Sequence, residues 1–145
     1  MNDPLAVRLR GSWELVSRID RASDGGRREE PSLGSDPIAF LVFDAAGHFA
    51  AQFMKRDRTS AVDAPAGRNN SRARDGYDAY FGTYEVGEAS GLVRTRLVGA
   101  LAPESVGQVF TRRMVVDGDA LTIELDTTTA TGEAVRRTLK WRRVA

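Results

Sequence analysis

The sequence predicts an all-β fold: an eight-stranded antiparallel up-and-down barrel with a long 55–76 loop and a short helix near 70–78. Three observations carry this. Eight strand-like runs recur at fairly regular spacing along 145 residues, which fits a barrel or sandwich rather than strand–helix–strand units. Asp44-Ala45-Ala46-Gly47 and Asp117-Gly118 stand between such runs, and Asp-Gly between alternating segments is a strong hairpin signal. The two tryptophans, Trp13 and Trp141, lie at opposite ends of the chain, as expected if the first and last strands meet at one closed end of a barrel.

The elements follow in order. Residues 13–19 alternate, with Trp13, Leu15 and Ile19 expected inward. Residues 37–43, "PIAFLVF", are apolar on both faces, and "HFAAQFM" (48–54) follows the first turn. "AYFGTYEV" (79–86) is aromatic and alternating; "LVRTRLVGAL" (92–101) alternates with arginines whose face is expected in solvent. "QVFTRRMVV" (108–116) leads into Asp117-Gly118, "ALTIELD" (120–126) alternates cleanly, and "AVRRTLKWRRV" (134–144) ends the chain. Closing the sheet removes its aggregation-prone edges, and eight strands enclose room for side chains or one small ligand. Residues 20–36 are polar and glycine-rich. Residues 55–76 lack strand patterning, and a segment of that length is usually a functional lid or disordered. Asn69, Asn70 or Ser71 supplies an N-cap for the short helix.

Composition bounds the function. The length fits a single domain spanning 1–145. Without cysteine there are no disulfides and no thiolate metal sites. Lys+Arg of 21 against Asp+Glu of 20 gives no general pull toward nucleic acid or anionic membranes. No apolar run is long enough to span a bilayer, and the start, Met1-Asn2-Asp3-Pro4, carries no secretory pattern. A cytoplasmic protein is expected. High Arg, Ala and Gly usage suggests a GC-rich bacterial source. A homodimer is left open.

A Gly-x-Trp on the first strand with an arginine on the last resembles the arrangement in lipocalins and calycins, where the tryptophan plugs the closed end and the arginine crosses its ring. The matching residues are Gly11, Trp13 and one of Arg142 or Arg143; strand parity leaves that choice open. The order "GSWELVS", "PIAFLVFDAAGHFAAQFMKRDR", "DGYDAYFGTYEV", "DGDALTIEL", "LKWRRV" is similar to the bacterial lipocalin-like domain family over almost the whole chain. The resemblance implies a small barrel with a pocket and no single activity: some such barrels in natural-product pathways resemble cofactor-free cyclases, and others only bind.

Parity assigns the interior, provided no bulge intervenes. Tyr80 and Tyr84 share a face; so do Gln108, Phe110 and Arg112; so do Arg137 and Trp141. Gln52 and Met54 share a face with His48, and which face of that strand points inward stays open. Phe40 and Met54 join the expected lining. Glu14, Glu85 and Glu124 fall on outer faces, and Asp75 and Asp78 are expected in solvent. An inward arginine is costly unless paired, so the missing counter-charge for Arg112 and Arg137 is expected to be a ligand: a mostly apolar molecule with a carboxylate or enolate. The other expectation for these arginines is a strand-end position snorkelling into water. The 55–76 segment carries six basic and three acidic residues, a modestly positive rim.

Two functional readings follow, with ligand-binding residues Phe40, Gln52, Met54, Tyr80, Tyr84, Gln108, Phe110, Arg112 and Arg137 in common. The first is a binding module. The second is a cofactor-independent cyclase or isomerase of secondary metabolism, in which Tyr80, Tyr84, Gln52 or Arg112 polarises a carbonyl. No metal or cofactor is expected, because the lone histidine, His48, has no ligand-spaced companions. A third reading is a structural barrel with a filled core. A cavity of roughly a few hundred cubic ångströms would separate it from the other two.

Overall fold

The alternating runs become nine strands in the computed structural model, which describes residues 3–145. They are β1 (Gly11–Ala22), β2 (Arg27–Arg28), β3 (Ile38–Phe43), β4 (His48–Met54), β5 (Tyr77–Gly87), β6 (Leu92–Ala100), β7 (Val109–Asp117), β8 (Ala120–Thr128) and β9 (Ala134–Arg143). Met1 and Asn2, part of the N-terminal stretch read above, lie outside the described residues. The two-residue β2 only folds back on β1, with Asp20 opposite Arg28. The eight long strands pair antiparallel with their chain neighbours, and β9 pairs back on β1. The result is the closed up-and-down barrel that the spacing predicts.

One end of the barrel is plugged. Helix α1 (Leu5–Leu9), which carries no signal strong enough to be expected from sequence, buries Leu5 and Leu9 on one face. Its first amides, Leu5 N–H and Ala6 N–H, donate to the Glu88 carboxylate at 2.7 and 3.0 Å, which satisfies donors a helix start leaves orphaned. The wholly buried Trp13 donates from Nε1 to the Leu9 carbonyl at 3.0 Å. Arg143 lies directly opposite Trp13 in the β1–β9 ladder, with its guanidinium carbon 4.2 Å from the indole centroid. Its two terminal nitrogens donate to the Arg10 and Arg8 carbonyls at 2.6 Å. Arg143 is therefore the arginine that closes the barrel. Arg142 points into solvent and pairs with Glu14 across the strand, which corrects its candidacy. The chain ends meet here as well: Ser12 N–H donates to the Ala145 carbonyl at 2.9 Å. Gly11 makes that close approach feasible, because a Cβ there would overlap the Ala145 carbonyl oxygen.

Two bulges set which side chains face in. In β1 the register slips between Leu15 and Ser17, so Val16 is extra and lies 58% exposed. Beyond it the parity inverts, since one additional residue swaps the faces. Arg18, Asp20 and Ala22 point inward and Ile19 does not, contrary to the expectation from strict alternation. In β6 the extra residue is Val98, between the pairs Phe81–Gly99 and Gly82–Leu97. Gly82 accommodates this bend; a Cβ at Gly82 would overlap the Arg96 carbonyl.

The other end is the mouth, where the β1–β3, β4–β5, β6–β7 and β8–β9 connections gather. The helix expected near 70–78 does not form. Residues 61–76 instead make an extended strap, preceded by a short 3-10 turn at Arg58–Ser60. Two local choices defeat the helix. Asn69 takes a left-handed φ of 58° and spends its side-chain amide on another strand, accepting from Thr111 N–H at 3.2 Å and donating to the Thr111 carbonyl at 3.1 Å. Asp75 and Gly76, with φ of 53° and 69°, then turn the chain into β5. The β7–β8 ladder begins only at Arg113–Glu124, and Asn69 fills the split above it. Thr127 Oγ1 donates to the Arg68 carbonyl at 2.6 Å on the facing side.

Candidate functional site

The inward faces of the eight long strands build an interior with two chambers. The lower chamber is apolar, lined by Leu41, Phe43, Phe49, Ala51, Met114, Ile123 and Trp141, with Thr95 as its one small polar residue. The upper chamber, under the strap, is polar: Arg18, Asp78, Arg137, Asn70 and Ser71 line it with Leu33, Ala73 and Leu125. Phe53, Tyr80, Arg112 and Leu139 line both and so stand between them. With the strap in place the free volumes are about 20 Å³ above and 30 Å³ below. Each is room for about one water. A cavity of a few hundred cubic ångströms is thus absent from the barrel interior, while an open cleft of about 400 Å³ lies beside β1 and β2. Eight strands leave an interior that side chains alone can fill, and seven buried aromatic rings contribute to filling this one.

Three arginines enter the upper chamber, and two are neutralised. Arg137 and Asp20 face each other across β1 and β9 in a bidentate pair, Nε to Oδ1 at 2.7 Å and a terminal nitrogen to Oδ2 at 2.9 Å, with both side chains at most 4% exposed. Arg18 meets Glu30, which reaches in from the β2–β3 connection, at 3.3 Å. Burial, followed by the neighbouring Arg137 charge, lowers the Arg18 guanidinium to about 10. Burial also opposes ionisation of Glu30, but Arg18 and hydrogen bonds from Ser32 and Leu33 outweigh it and hold the carboxyl below its ordinary range.

Arg112 is different. Among the described residues no carboxylate lies within ion-pair distance of it. It donates to the Asn69 carbonyl at 2.9 Å and to Asn70 Oδ1 at 3.4 Å, both on the strap. Its guanidinium carbon sits 4.7 Å from the Phe110 ring centroid, and its enclosed Nε has no hydrogen-bond partner. Asp78 is the nearby acid. It is 4% exposed; one carboxylate oxygen accepts from the Ser71 hydroxyl, and the other is enclosed and unpartnered. Burial pushes its carboxyl up to about 6, against the opposing pulls of Ser71, the Ala79 amide, Arg112 and Arg18. Burial likewise raises the Tyr80 hydroxyl, with Arg112 acting the other way.

The expected site residues divide clearly. Tyr80, Phe110, Arg112 and Arg137 are inside. Tyr84 shares the inward face but sits at the plugged end, edge-on to Phe43 at 5.0 Å and donating to the Asp44 carbonyl at 2.6 Å. Burial raises its hydroxyl. Phe40, Gln52, Met54 and Gln108 do not line the interior. In β3 it is Ala39, Leu41 and Phe43 that are buried, and Phe40 is 47% exposed. In β4 Phe49, Ala51 and Phe53 are buried, which turns Gln52 and Met54 outward; Gln52 accepts from the Tyr77 hydroxyl at 2.9 Å. Gln108 precedes β7, exposed, and donates to the Glu104 carbonyl at 3.3 Å. The sequence reading missed Arg18 and Asp20, which only the Val16 bulge brings inside. It also placed Asp78 in solvent, although Asp78 shares the parity of Tyr80 and that signal was available. His48 is on the surface, against Asp44 at 3.2 Å. Among the described residues no group of three or more His, Cys, Asp or Glu is arranged to hold a metal ion, and no helix is long and apolar enough to cross a membrane.

A closed up-and-down barrel, plugged at one end by indole and guanidinium and strapped at the other over an amphipathic interior, defines the class of small up-and-down β-barrels. Within that class the chain belongs to the lipocalin-like domain family, whose model matches residues 10–144. No curated protein matches the chain.

Proposed function

We propose that the barrel binds a small, mostly apolar molecule bearing an acidic group, a carboxylate or enolate, with the anion held by Arg112 and the apolar part in the lower chamber. The observation that carries this is the unbalanced guanidinium: Arg18 and Arg137 each have a buried carboxylate, and Arg112 has no carboxylate in ion-pair contact, only strap oxygens, the Tyr80 hydroxyl and an unpartnered Nε. Arg112 is half-buried; a charge drawn partly out of water without a counter-charge is costly, and a ligand anion would supply one. Binding requires the strap to lift. That removes Asn70, Ser71 and Ala73 from the upper chamber and frees Arg112 to turn, joining the two chambers. The strap is suited to such movement because polar contacts to Thr111, Arg112, Thr127 and Asp78 hold it, and Ala64 and Ala73 are its only buried apolar side chains among the described residues.

Decanoate and decanol, titrated against the wild type and Arg112→Met, test the proposal. Decanoate is expected to bind more tightly than decanol. The substitution is expected to weaken decanoate about tenfold or more, in line with removing one partner of an enclosed charged contact, and to leave decanol unchanged. Equal decanoate affinity in the two proteins would remove the role given to Arg112.

A second reading, a cofactor-independent isomerase or cyclase in the same interior, is favoured by Asp78. Its free oxygen and raised pKa suit a general base near neutral pH. Asp78 would take a proton from the carbon beside a ligand carbonyl. The electron pair would move onto the carbonyl oxygen, stabilised by Arg112 and the Tyr80 hydroxyl, and the proton would return to carbon. Methyl octyl ketone in heavy water, followed by proton NMR, is then expected to take up deuterium with the wild type and not with Asp78→Asn. Exchange no faster than in buffer alone would remove this reading.

A further inference from the structure

Buried N–H groups are almost always hydrogen-bonded, so each exception calls for a reason. The two tryptophans contrast in this respect. Trp13 Nε1 donates to the Leu9 carbonyl at 3.0 Å. Trp141 is only 3% exposed, and its Nε1 is enclosed with no partner. Trp141 sits in β9 opposite Leu15 of β1 and Leu121 of β8 and packs edge-on against Phe53 at 5.8 Å. A leucine or phenylalanine would fill such a place without stranding a donor. Beside the indole lies the lower chamber, with free space of about 30 Å³, enough for one oxygen atom. Its side chains offer few acceptors: aliphatic and aromatic groups surround it, with the Thr95 and Tyr80 hydroxyls the exceptions.

We infer that Trp141 Nε1 is the donor for a second oxygen of the ligand, deep in the apolar chamber, so that the ligand class is an oxygenated chain, an oxo acid rather than a plain fatty acid. This rests on the Arg112 reading, because the acidic head has to be held above for the chain to reach Trp141. A carbonyl suits the site better than a hydroxyl. It accepts without bringing a proton of its own into a chamber where only the Thr95 and Tyr80 hydroxyls could receive one.

The test compares decanoate with a series of oxodecanoates whose ketone moves stepwise along the chain. At least one isomer is expected to bind the wild type about fivefold more tightly than decanoate, the worth of one added hydrogen bond. That gain, read as the ratio of the isomer's affinity to decanoate's in each protein, should vanish in Trp141→Phe. A measurement on the unaltered protein stands beside it. Of the two indole N–H signals in a proton–nitrogen correlation spectrum, the Trp141 signal should move further downfield with that isomer than with decanoate, and the Trp13 signal should stay in place with both. No isomer binding more tightly than decanoate, a gain that survives in Trp141→Phe, or an identical Trp141 shift with both acids would overturn the inference. These outcomes are distinct from failure of the Arg112 reading, in which decanoate itself would bind no better than decanol.

Discussion

Replacing Asp20 with alanine will lower the unfolding free energy by about 3–5 kcal/mol, the loss expected when one member of a buried ion pair is removed and the other stays charged. The partner left behind is Arg137, with 4% of its side chain exposed. Burial of Asp20 is itself a product of the Val16 bulge, so the prediction tests the register as well as the pair. Two comparisons sharpen it. The double substitution Asp20→Leu with Arg137→Leu should recover most of the loss, since apolar groups often replace a buried pair at little net cost. Glu14→Ala, which breaks the exposed pair with Arg142, should cost less than about 1 kcal/mol. Urea denaturation reads all three as shifts in midpoint at constant slope. A loss below about 1 kcal/mol for Asp20→Ala would place that pair in solvent and contradict the β1 register.

Raising the pH through about 6 will loosen the strap, and Asp78 is the group responsible. Ser71 faces it from the strap, Arg112 from β7, Arg18 and Asp20 from β1, Arg137 from β9, Tyr80 from its own strand and Glu30 from the β2–β3 connection. With the strap closed, burial raises the Asp78 carboxyl from 3.8 to about 6. With the strap lifted the carboxyl reaches water and returns toward 3.8. A raised pKa means the closed form holds the proton more tightly. Its contribution to closure is therefore complete below about pH 4 and declines as the pH rises through about 6, by roughly 3 kcal/mol for two units of difference. Hydrogen exchange of residues 67–73, corrected for its intrinsic pH dependence, should show protection falling across that range in the wild type and staying level in Asp78→Asn. Protection that is flat or rising in the wild type would contradict the assignment.

Period-two patterning was enough to place every long strand, because each buries one side and the turns between them carry their own chemistry. Direction was harder. β3 and β4 are apolar on both faces, so alternation alone could not decide between Phe40 and Leu41, or between Gln52 and Phe53; pairing within the closed barrel decides it. β1 reads as a regular strand until Val16, and a one-residue insertion leaves no compositional trace, which is why Arg18 and Asp20 were not foreseen inside. The strap shows the opposite failure. Asn69 and Asn70 are good helix caps in isolation, but their polar groups go instead to Thr111 and Arg112, more than 40 residues away in sequence. The choice of Arg143 over Arg142 had the same character. Both follow Trp141, and the pairing of β9 with β1 puts Arg143 opposite Trp13.

The outer surface supplies a control for the central claim that the interior takes the ligand. Ile38, Phe40, Phe81 and Val98 expose apolar side chains on β3, β5 and β6, so a greasy acid has somewhere else to adhere. Isotope-filtered NOE spectroscopy of labelled protein with unlabelled decanoate separates the two locations. The account predicts cross-peaks from the decanoate chain to the methyl groups of Leu41, Met114 and Ile123, which line the lower chamber. Cross-peaks confined to Ile38 and Val98, or none at saturating decanoate, would contradict it.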